Sequence, residues 1–393
     1  MLTETQKETI KATIPVLEQH GTDVTTHFYS RLFEDHPELL NIFNHVHQET
    51  GEQPRALAYS LYQAAVNIDQ LESILPLVRQ VAHKHRSIGV QAEHYPVVGE
   101  YLLRSMQEKL GLDADDPVIE AWGAAYGIIA DIFIQVEKGM YDAAGWEGFQ
   151  PMIVVDKVNE SSEITSFYLK RENDEPLPSF EPGQYLSIRA EIPGENYLHI
   201  RQYSLSDEPE LPYYRISVKR EAGPDGRVSS WLHQHVEAGD TIYASAPAGD
   251  FTMKEGSGGA AFIAGGVGIT PLLSMFKQET TRRPERPLTL IHAVRNEAAA
   301  GLQEDAAKAA SAGIRRHFVV YEHPEQPDAG DAQGRITPAM LQEFLPEDTT
   351  EIYLCGPEAF MTAVYTQLQS LGYNAEQIHY EYFGPGMALP VTN

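Results

Sequence analysis

The sequence predicts a multidomain protein in three parts: an all-α domain, a small antiparallel β-barrel, and an α/β domain built on an open parallel sheet. Three textures predict it. From residue 1 to about 147, apolar residues recur every three or four positions, and Pro37, Pro54, Pro96 and Pro117 sit where a helix would begin or break. That pattern predicts about six to eight helices. From 151 to about 255 the period is two: Tyr214, Ile216 and Val218 alternate with Arg215, Ser217 and Lys219. Turns such as Pro182-Gly183, Pro193-Gly194 and Asp225-Gly226 punctuate it, as in a small barrel. From 256 to 393, after Gly256-Ser257-Gly258-Gly259, apolar runs at 261–264, 288–292, 317–321 and 352–354 alternate with helical stretches. This is the rhythm of parallel β-α-β units. Residues 146–151 read as a linker.

Composition narrows the class. At about 100–200 residues per domain, 393 residues make two or three domains. With 42% hydrophobic and 22% charged residues, a disordered or fibrous chain is excluded. The 29 Lys and Arg face 56 Asp and Glu, a net charge of −27, of which residues 1–150 carry −12, 151–255 carry −8 and 256–393 carry −7. The excess is therefore no tail. A chain this acidic, with no basic run, is expected to repel nucleic acid and anionic lipid. No run of about 18 apolar residues is available to span a membrane, and Met1 to Thr5 open no signal peptide. The one cysteine, Cys355, excludes an internal disulfide and a cysteine-based metal site. A cytoplasmic, monomeric protein is expected.

In the helical part, Ile74, Val78, Val81 and His85 follow one another at helical spacing, which turns His85 inward. His83, about 200° around the helix, faces elsewhere. An inward histidine is either a ligand or a hydrogen-bonded core residue. Tyr29 lies in an amphipathic segment, Phe43 follows the Pro37 helix start, Gln53 and Leu57 are one turn apart, and Lys84-His85, Tyr95 and Glu137 follow. This set resembles the globin domain of bacterial flavohaemoglobins. The resemblance implies haem b, with His85 as the proximal iron ligand beside Lys84 and Phe43 packed on the haem face. Tyr29 would hydrogen-bond to oxygen on the iron, with Gln53 and Leu57 completing that pocket. Tyr95 and Glu137 would stand behind His85, where a carboxylate makes imidazole a stronger donor; this favours activating oxygen over storing it.

In the barrel, Arg201-Gln202-Tyr203-Ser204 carries the form R-x-Y-S. In a strand, Arg201 and Tyr203 project to one side, an arrangement suited to a pyrophosphate and an aromatic ring, with the Ser204 hydroxyl near flavin N5. The motif resembles that of the ferredoxin–NADP reductase superfamily and implies FAD. In that family Tyr185, which follows Pro182-Gly183-Gln184, and a loop matching Gly226 to Ser229, with Val228, also touch FAD. Gly226 reads as a turn opening a helix, whose amides can hold phosphate; a helix cap at Ser229 is compatible with that role.

In the third part, the apolar run 261–264 leads into Gly265-Gly266-Val267-Gly268-Ile269-Thr270-Pro271. A strand, a glycine turn and a helix start bring backbone amides to a dinucleotide phosphate, and Pro271 suits a first helical turn. The G-x-G-x-T-P form, through Gly266, Gly268, Thr270 and Pro271, resembles the NAD(P)-binding loop of the same superfamily. The Gly265-Gly266 pair departs from the single glycine usual in flavohaemoglobins. Cys355-Gly356-Pro357 follows a strand and, by resemblance, lies near the nicotinamide; a small buried hydrophobe is the other reading of Cys355. Tyr380-Glu381-Tyr382-Phe383-Gly384-Pro385 matches the family's terminal strand, where Phe383 would cover the flavin and Glu381 would lie between flavin and haem. Arg295 suits a 2′-phosphate or a surface charge equally, so NADH and NADPH both stay open.

The resemblance covers nearly the whole chain. It implies a nitric oxide dioxygenase that uses NAD(P)H and O2 to convert NO to nitrate through FAD and haem. The alternatives are an NAD(P)H-dependent reductase of other acceptors, and a gas- or lipid-binding globin.

Overall fold

The computed structural model describes residues 2–43, 48, 50–172, 175–223, 226–256, 258–311 and 314–384. The first helix, α1 (Glu4–Ala12), starts where Thr3 and Gln6 exchange side-chain and backbone hydrogen bonds in a capping box. It is followed by α2 (Ile14–Asp35), a 3-10 turn from Pro37 to Asn41, α3 (Glu52–Val66), a second such turn from Leu71 to Ile74, α4 (Leu75–Ile88), α5 (His94–Leu110) and α6 (Pro117–Ala143). Asp116 caps α6 by accepting from the Val118 amide. The helices enclose a core containing Val24, Phe28, Leu32, Leu102, Met106 and Trp122. Among the described residues α6 is the helix long and apolar enough to cross a membrane. It instead contributes Trp122 and Ala125 to this core and buries the carboxylate of Glu137.

Strands β1 (Phe149–Asn159), β2 (Ile164–Arg171), β3 (Tyr185–Ala190), β4 (His199–Ser204), β5 (Tyr214–Lys219) and β6 (Thr241–Ser245) form a sheet in the order β4-β3-β6-β1-β2-β5. An antiparallel bridge between Leu205, just past β4, and Ile216 of β5 joins the two ends of that order, as a barrel requires. Helix α7 (Arg227–His235) follows β5. One expectation is corrected. The linker is shorter than expected: Phe149, Gln150 and Pro151 already belong to β1, opposite Ser245, Ala244 and Tyr243. Pro151 is tolerated because β2 begins to pair with β1 only at Met152, so no ladder bond is lost there. In β5, Tyr214 to Val218 are all buried. Arg215 and Ser217 are covered on the outer side as well.

The third part is a parallel sheet: β7 (Gly259–Gly265), β8 (Leu288–Val294), β9 (Arg315–Tyr321), β10 (Ala332–Gln333), β11 (Thr349–Cys355) and β12 (Ile378–Glu381), in the order β10-β9-β8-β7-β11-β12. Helices α8 (Ile269–Arg282), α9 (Gln303–Ala310), α10 (Pro338–Phe344) and α11 (Glu358–Ser370) cover it. On one face Ile263, Ile352 and Leu354 meet Leu341 and Met361; on the other Phe262, Ala264 and Tyr353 meet Leu272 and Phe276. Both faces are buried, which explains the continuous apolar runs. Strand order reverses between β7 and β11, and sheets of this kind bind ligands outside the carboxyl ends of strands at such a point. Backbone contacts divide the chain into two compact units: Met1–Gly148 with Arg189–Arg201, and Phe149–Ile188 with Gln202–Asn393.

Candidate functional site

His85 lies in the last turn of α4, before Gly89 terminates it. The fully buried stripe of α4 runs through Val78, Ala82 and Arg86, one position on from the stripe the sequence suggests, so His85 sits at its flank with 30% of its side chain exposed. Lys84 beside it is half-buried. His85 Nδ1 is 2.8 Å from Glu137 Oε1, and the Tyr95 hydroxyl donates to the same oxygen at 2.6 Å. Nδ1 is also 3.2 Å from the Tyr95 oxygen. Glu137 is only 2% exposed. A carboxylate only accepts, so Nδ1 carries a proton and Nε2 is the ring nitrogen left for a metal. Nε2 makes no hydrogen bond among the described residues. An imidazole anchored through Nδ1 and presenting Nε2 is the arrangement that haem iron takes. Burial first, then the charge of Glu137, pushes the Tyr95 hydroxyl far above its usual range. It therefore stays protonated and donating.

Two supports behind this triad escaped the sequence reading. The Tyr126 hydroxyl donates to the Tyr95 carbonyl at 2.6 Å, and Tyr141 donates to the Val90 carbonyl at 2.6 Å. The Phe133 ring lies 5.6 Å from the His85 ring. Tyr126, Phe133, Glu137 and Tyr141 recur along α6 at seven, four and four residues, a one-face spacing that could have revealed them.

A second cluster surrounds Tyr29, which is 7% exposed. Its ring meets Phe28 and Phe43 edge-on at 4.8 and 5.8 Å and stacks on Phe33 at 5.7 Å. Its hydroxyl is hydrogen-bonded to Gln53, and burial pushes its pKa well up. Leu57, one turn along α3, packs on the same core. Among the described residues no hydrogen bond or ring contact joins this cluster to the triad.

In the barrel, Arg201, Gln202 and Tyr203 are half-buried and Ser204 is buried. The Arg201 guanidinium donates to the Ile200 carbonyl at 2.8 Å, and the Gln202 amide donates to Ser187 Oγ at 3.1 Å. Tyr185 starts β3, its backbone bridged to Ala248. Gly226 is the N-cap of α7 and has no side chain to cap it; a glycine turn into a helix start is the kind of terminus that receives a phosphate. A Cβ at Gly226 would fall 2.0 Å from the Glu221 carbonyl oxygen. Ser229 is not the cap: its hydroxyl accepts from the Glu221 amide and donates to the Gly226 carbonyl. It closes the loop from inside the helix, while Val228 is fully buried.

At the switch point, Gly266 to Gly268 form a 3-10 turn into α8, with Gly266 at φ +53°. A Cβ on Gly268 would lie 2.3 Å from the Cys355 carbonyl oxygen, so the glycine loop and Cys355-Gly356-Pro357 touch. The additional Gly265 is explained by the Phe360 ring, 2.6 Å from where its Cβ would be. Thr270 Oγ1 donates to the Val267 carbonyl at 3.0 Å, and Pro271 lies in the first turn. The Cys355 thiol is fully buried, and burial holds its pKa well above the ordinary value, so it is a neutral, compact group. His292, which the sequence did not single out, is also fully buried; its Nε2 donates to the Gly266 carbonyl at 2.9 Å and its Nδ1 accepts from the Gln303 amide at 2.5 Å. Glu381 ends β12 opposite Cys355. Phe383 is 46% exposed, and Pro385 of the terminal motif lies outside the described residues. Arg295 is exposed and paired with Glu163.

Family models agree with this division. A globin model matches residues 26–133, an oxidoreductase FAD-binding domain 151–253, and an oxidoreductase NAD-binding domain 262–366. A flavohemoprotein of Halalkalibacterium halodurans is 47% identical, covering 99% of this chain and 98% of its own. One from Bacillus subtilis is 47% identical with 99% of both chains covered. The chain belongs to the flavohemoprotein family. The crystal structure of a Malassezia yamatoensis flavohemoglobin, with bound FAD and haem, matches 98% of the chain at a TM-score of 0.86 and 26% identity. The FAD/NAD-binding domain of a nitric oxide dioxygenase from Vibrio cholerae matches 60% of it, with 99% of that chain covered, at a TM-score of 0.56 and 34% identity. This flavohemoprotein is thus an oxidoreductase whose globin part precedes an antiparallel FAD-binding barrel and a parallel-sheet NAD-binding domain.

Proposed function

We propose that the chain is a nitric oxide dioxygenase, a cytoplasmic monomer that uses NAD(P)H and O2 to convert NO to nitrate. We assign haem b to residues 1–147, FAD to 151–255 with the start of β1 at Phe149, and the nicotinamide to 256–393. When bound, FAD takes a hydride and hands on single electrons, and haem iron brings O2 and NO together. His85 would hold the iron through Nε2, with Phe43 and Lys84 beside the haem. Glu137 accepts the His85 Nδ1 proton bond and Tyr95 fixes that carboxylate, so the pair raises the donor strength of the imidazole. The Tyr29 hydroxyl, bonded to Gln53 with Phe33 stacked on its ring and Leu57 on the same core, would donate to a gas bound at the haem. Arg201 and the Gly226–Ser229 loop would hold the FAD phosphates, Tyr203 and Tyr185 would flank its ring, and Ser204 would donate near its N5. Gly266, Gly268, Thr270 and Pro271 would receive the dinucleotide, with Cys355, Gly356 and Pro357 near the nicotinamide, Phe383 over the flavin and Glu381 between flavin and haem.

The observation that carries this reading is the single buried Glu137 oxygen shared by His85 and Tyr95. A strongly donating proximal ligand serves oxygen activation, which a storage globin does not need. The test is NAD(P)H consumption by the purified protein with O2, with and without NO. Acceleration by NO with nitrate as product is expected; consumption indifferent to NO would point to a reductase of other acceptors.

A further inference from the structure

Four charged side chains outside these sites meet inside the second unit. Asp207 and Arg215 come from the barrel, 4% and 3% exposed, and Lys277 and Asp305 come from α8 and α9 of the nucleotide-binding part. Arg215 donates from Nη1 to Asp305 Oδ2 at 2.5 Å, from Nη2 to the Ser206 carbonyl at 2.6 Å and from Nε to Ser206 Oγ at 3.1 Å. Lys277 Nζ donates to Asp207 Oδ1 and lies 3.9 Å from Asp305. The Asp207 carbonyl also accepts from Ser274 Oγ at 2.5 Å. Burial opposes the charge on Arg215, yet Asp207 and Asp305 beside it raise its pKa overall. The cluster is two cations and two anions.

Its placement is informative. Asp207 stands three residues beyond Ser204, at the end of the R-x-Y-S strand. Ser274 and Lys277 lie on α8, the helix that starts directly after Gly268. The strand bearing the flavin motif and the helix bearing the dinucleotide loop are therefore bolted together by two adjacent contacts, with Arg215 and Asp305 as a third. A buried ion cluster adds little net stability compared with apolar residues of the same volume. Its directional hydrogen bonds do fix one arrangement of the two parts, which apolar packing specifies less sharply.

We propose that Asp207, Arg215, Lys277 and Asp305 are positioning residues that set the nicotinamide-binding part on the flavin-binding barrel for hydride transfer, in which the C4–H bond of NAD(P)H breaks and the hydrogen passes with its electron pair to FAD, leaving NAD(P)+. This rests on the reading of FAD reduction by NAD(P)H given above. The experiment is anaerobic stopped-flow flavin reduction by NAD(P)H, and by its 4-deuterated form, in the full-length holoprotein and in Lys277→Met, Asp305→Asn and Lys277→Arg. A misplacement of about 1 Å costs on the order of 100-fold in rate, so the limiting rate in Lys277→Met and Asp305→Asn is expected to fall about 10- to 100-fold. Half-saturating NAD(P)H, FAD content and haem content should stay near wild type, the deuterium effect should grow, and Lys277→Arg should retain the rate. Wild-type rates and isotope effects in both charge-removing variants, or a fall tracking loss of FAD, would overturn the proposal alone. A wild-type flavin that NAD(P)H does not reduce would overturn the underlying reading as well.

Discussion

Glu137 is the residue on which the haem side of the molecule turns. Replacing it by leucine removes the acceptor for the Tyr95 hydroxyl and His85 Nδ1, and leaving such buried donors unpaired costs about 1–3 kcal/mol, to be read in urea unfolding. Glu137→Gln keeps an acceptor but loses the charge; the haem reduction potential should rise by redox titration, and an unchanged potential would detach Glu137 from iron chemistry. His85→Ala should lose haem while keeping FAD and NAD(P)H-dependent dye reduction; retained haem would refute the ligand assignment. His292 supplies a pH dependence. Burial lowers its pKa to about 4, below about 6.5 in an unfolded chain. The folded state therefore refuses a proton that the unfolded state accepts as pH falls below 6.5, and on this account about 3 kcal/mol of stability is lost between pH 7 and pH 4. His292→Gln should flatten that part of the stability–pH curve.

At the scale of elements, the β7–turn–α8 segment shows how much a motif leaves unsaid. Its glycines were legible in the sequence, but the reasons for two of them lie on other strands: Gly268 yields to the Cys355 carbonyl and Gly265 to the Phe360 ring. Gly268→Ala forces a backbone shift of the kind that costs about 1–3 kcal/mol. It should impair flavin reduction by NAD(P)H while haem and FAD contents, measured by absorbance, stay unchanged. The β5 strand is the opposite case. Its alternation marks a strand in the sequence, and only a second layer of structure explains why Arg215 and Ser217 are buried. A one-dimensional pattern reports one covered face; it cannot report what arrives on the other. Helix α6 carries its own signal: Tyr126, Phe133, Glu137 and Tyr141 are spaced on one face, and only their joint action behind His85 required coordinates.

For the whole molecule, the charge of −27 is spread along the chain, and each compact unit has its own apolar core. Calorimetry should therefore show unfolding that is not two-state, with a calorimetric enthalpy exceeding the van't Hoff value; equal enthalpies would mean one cooperative block. By itself the sequence determined the order of the three architectures and the glycine loop. These depend on periodicity and local turn chemistry, which neighbouring residues encode. Only the tertiary structure decided that one Glu137 oxygen serves both His85 and Tyr95, that His292 holds the Gly266 carbonyl, and that Asp207, Arg215, Lys277 and Asp305 converge. Each of these joins residues far apart in the chain, and such contacts depend on how elements pack, for which spacing along the sequence carries no sign.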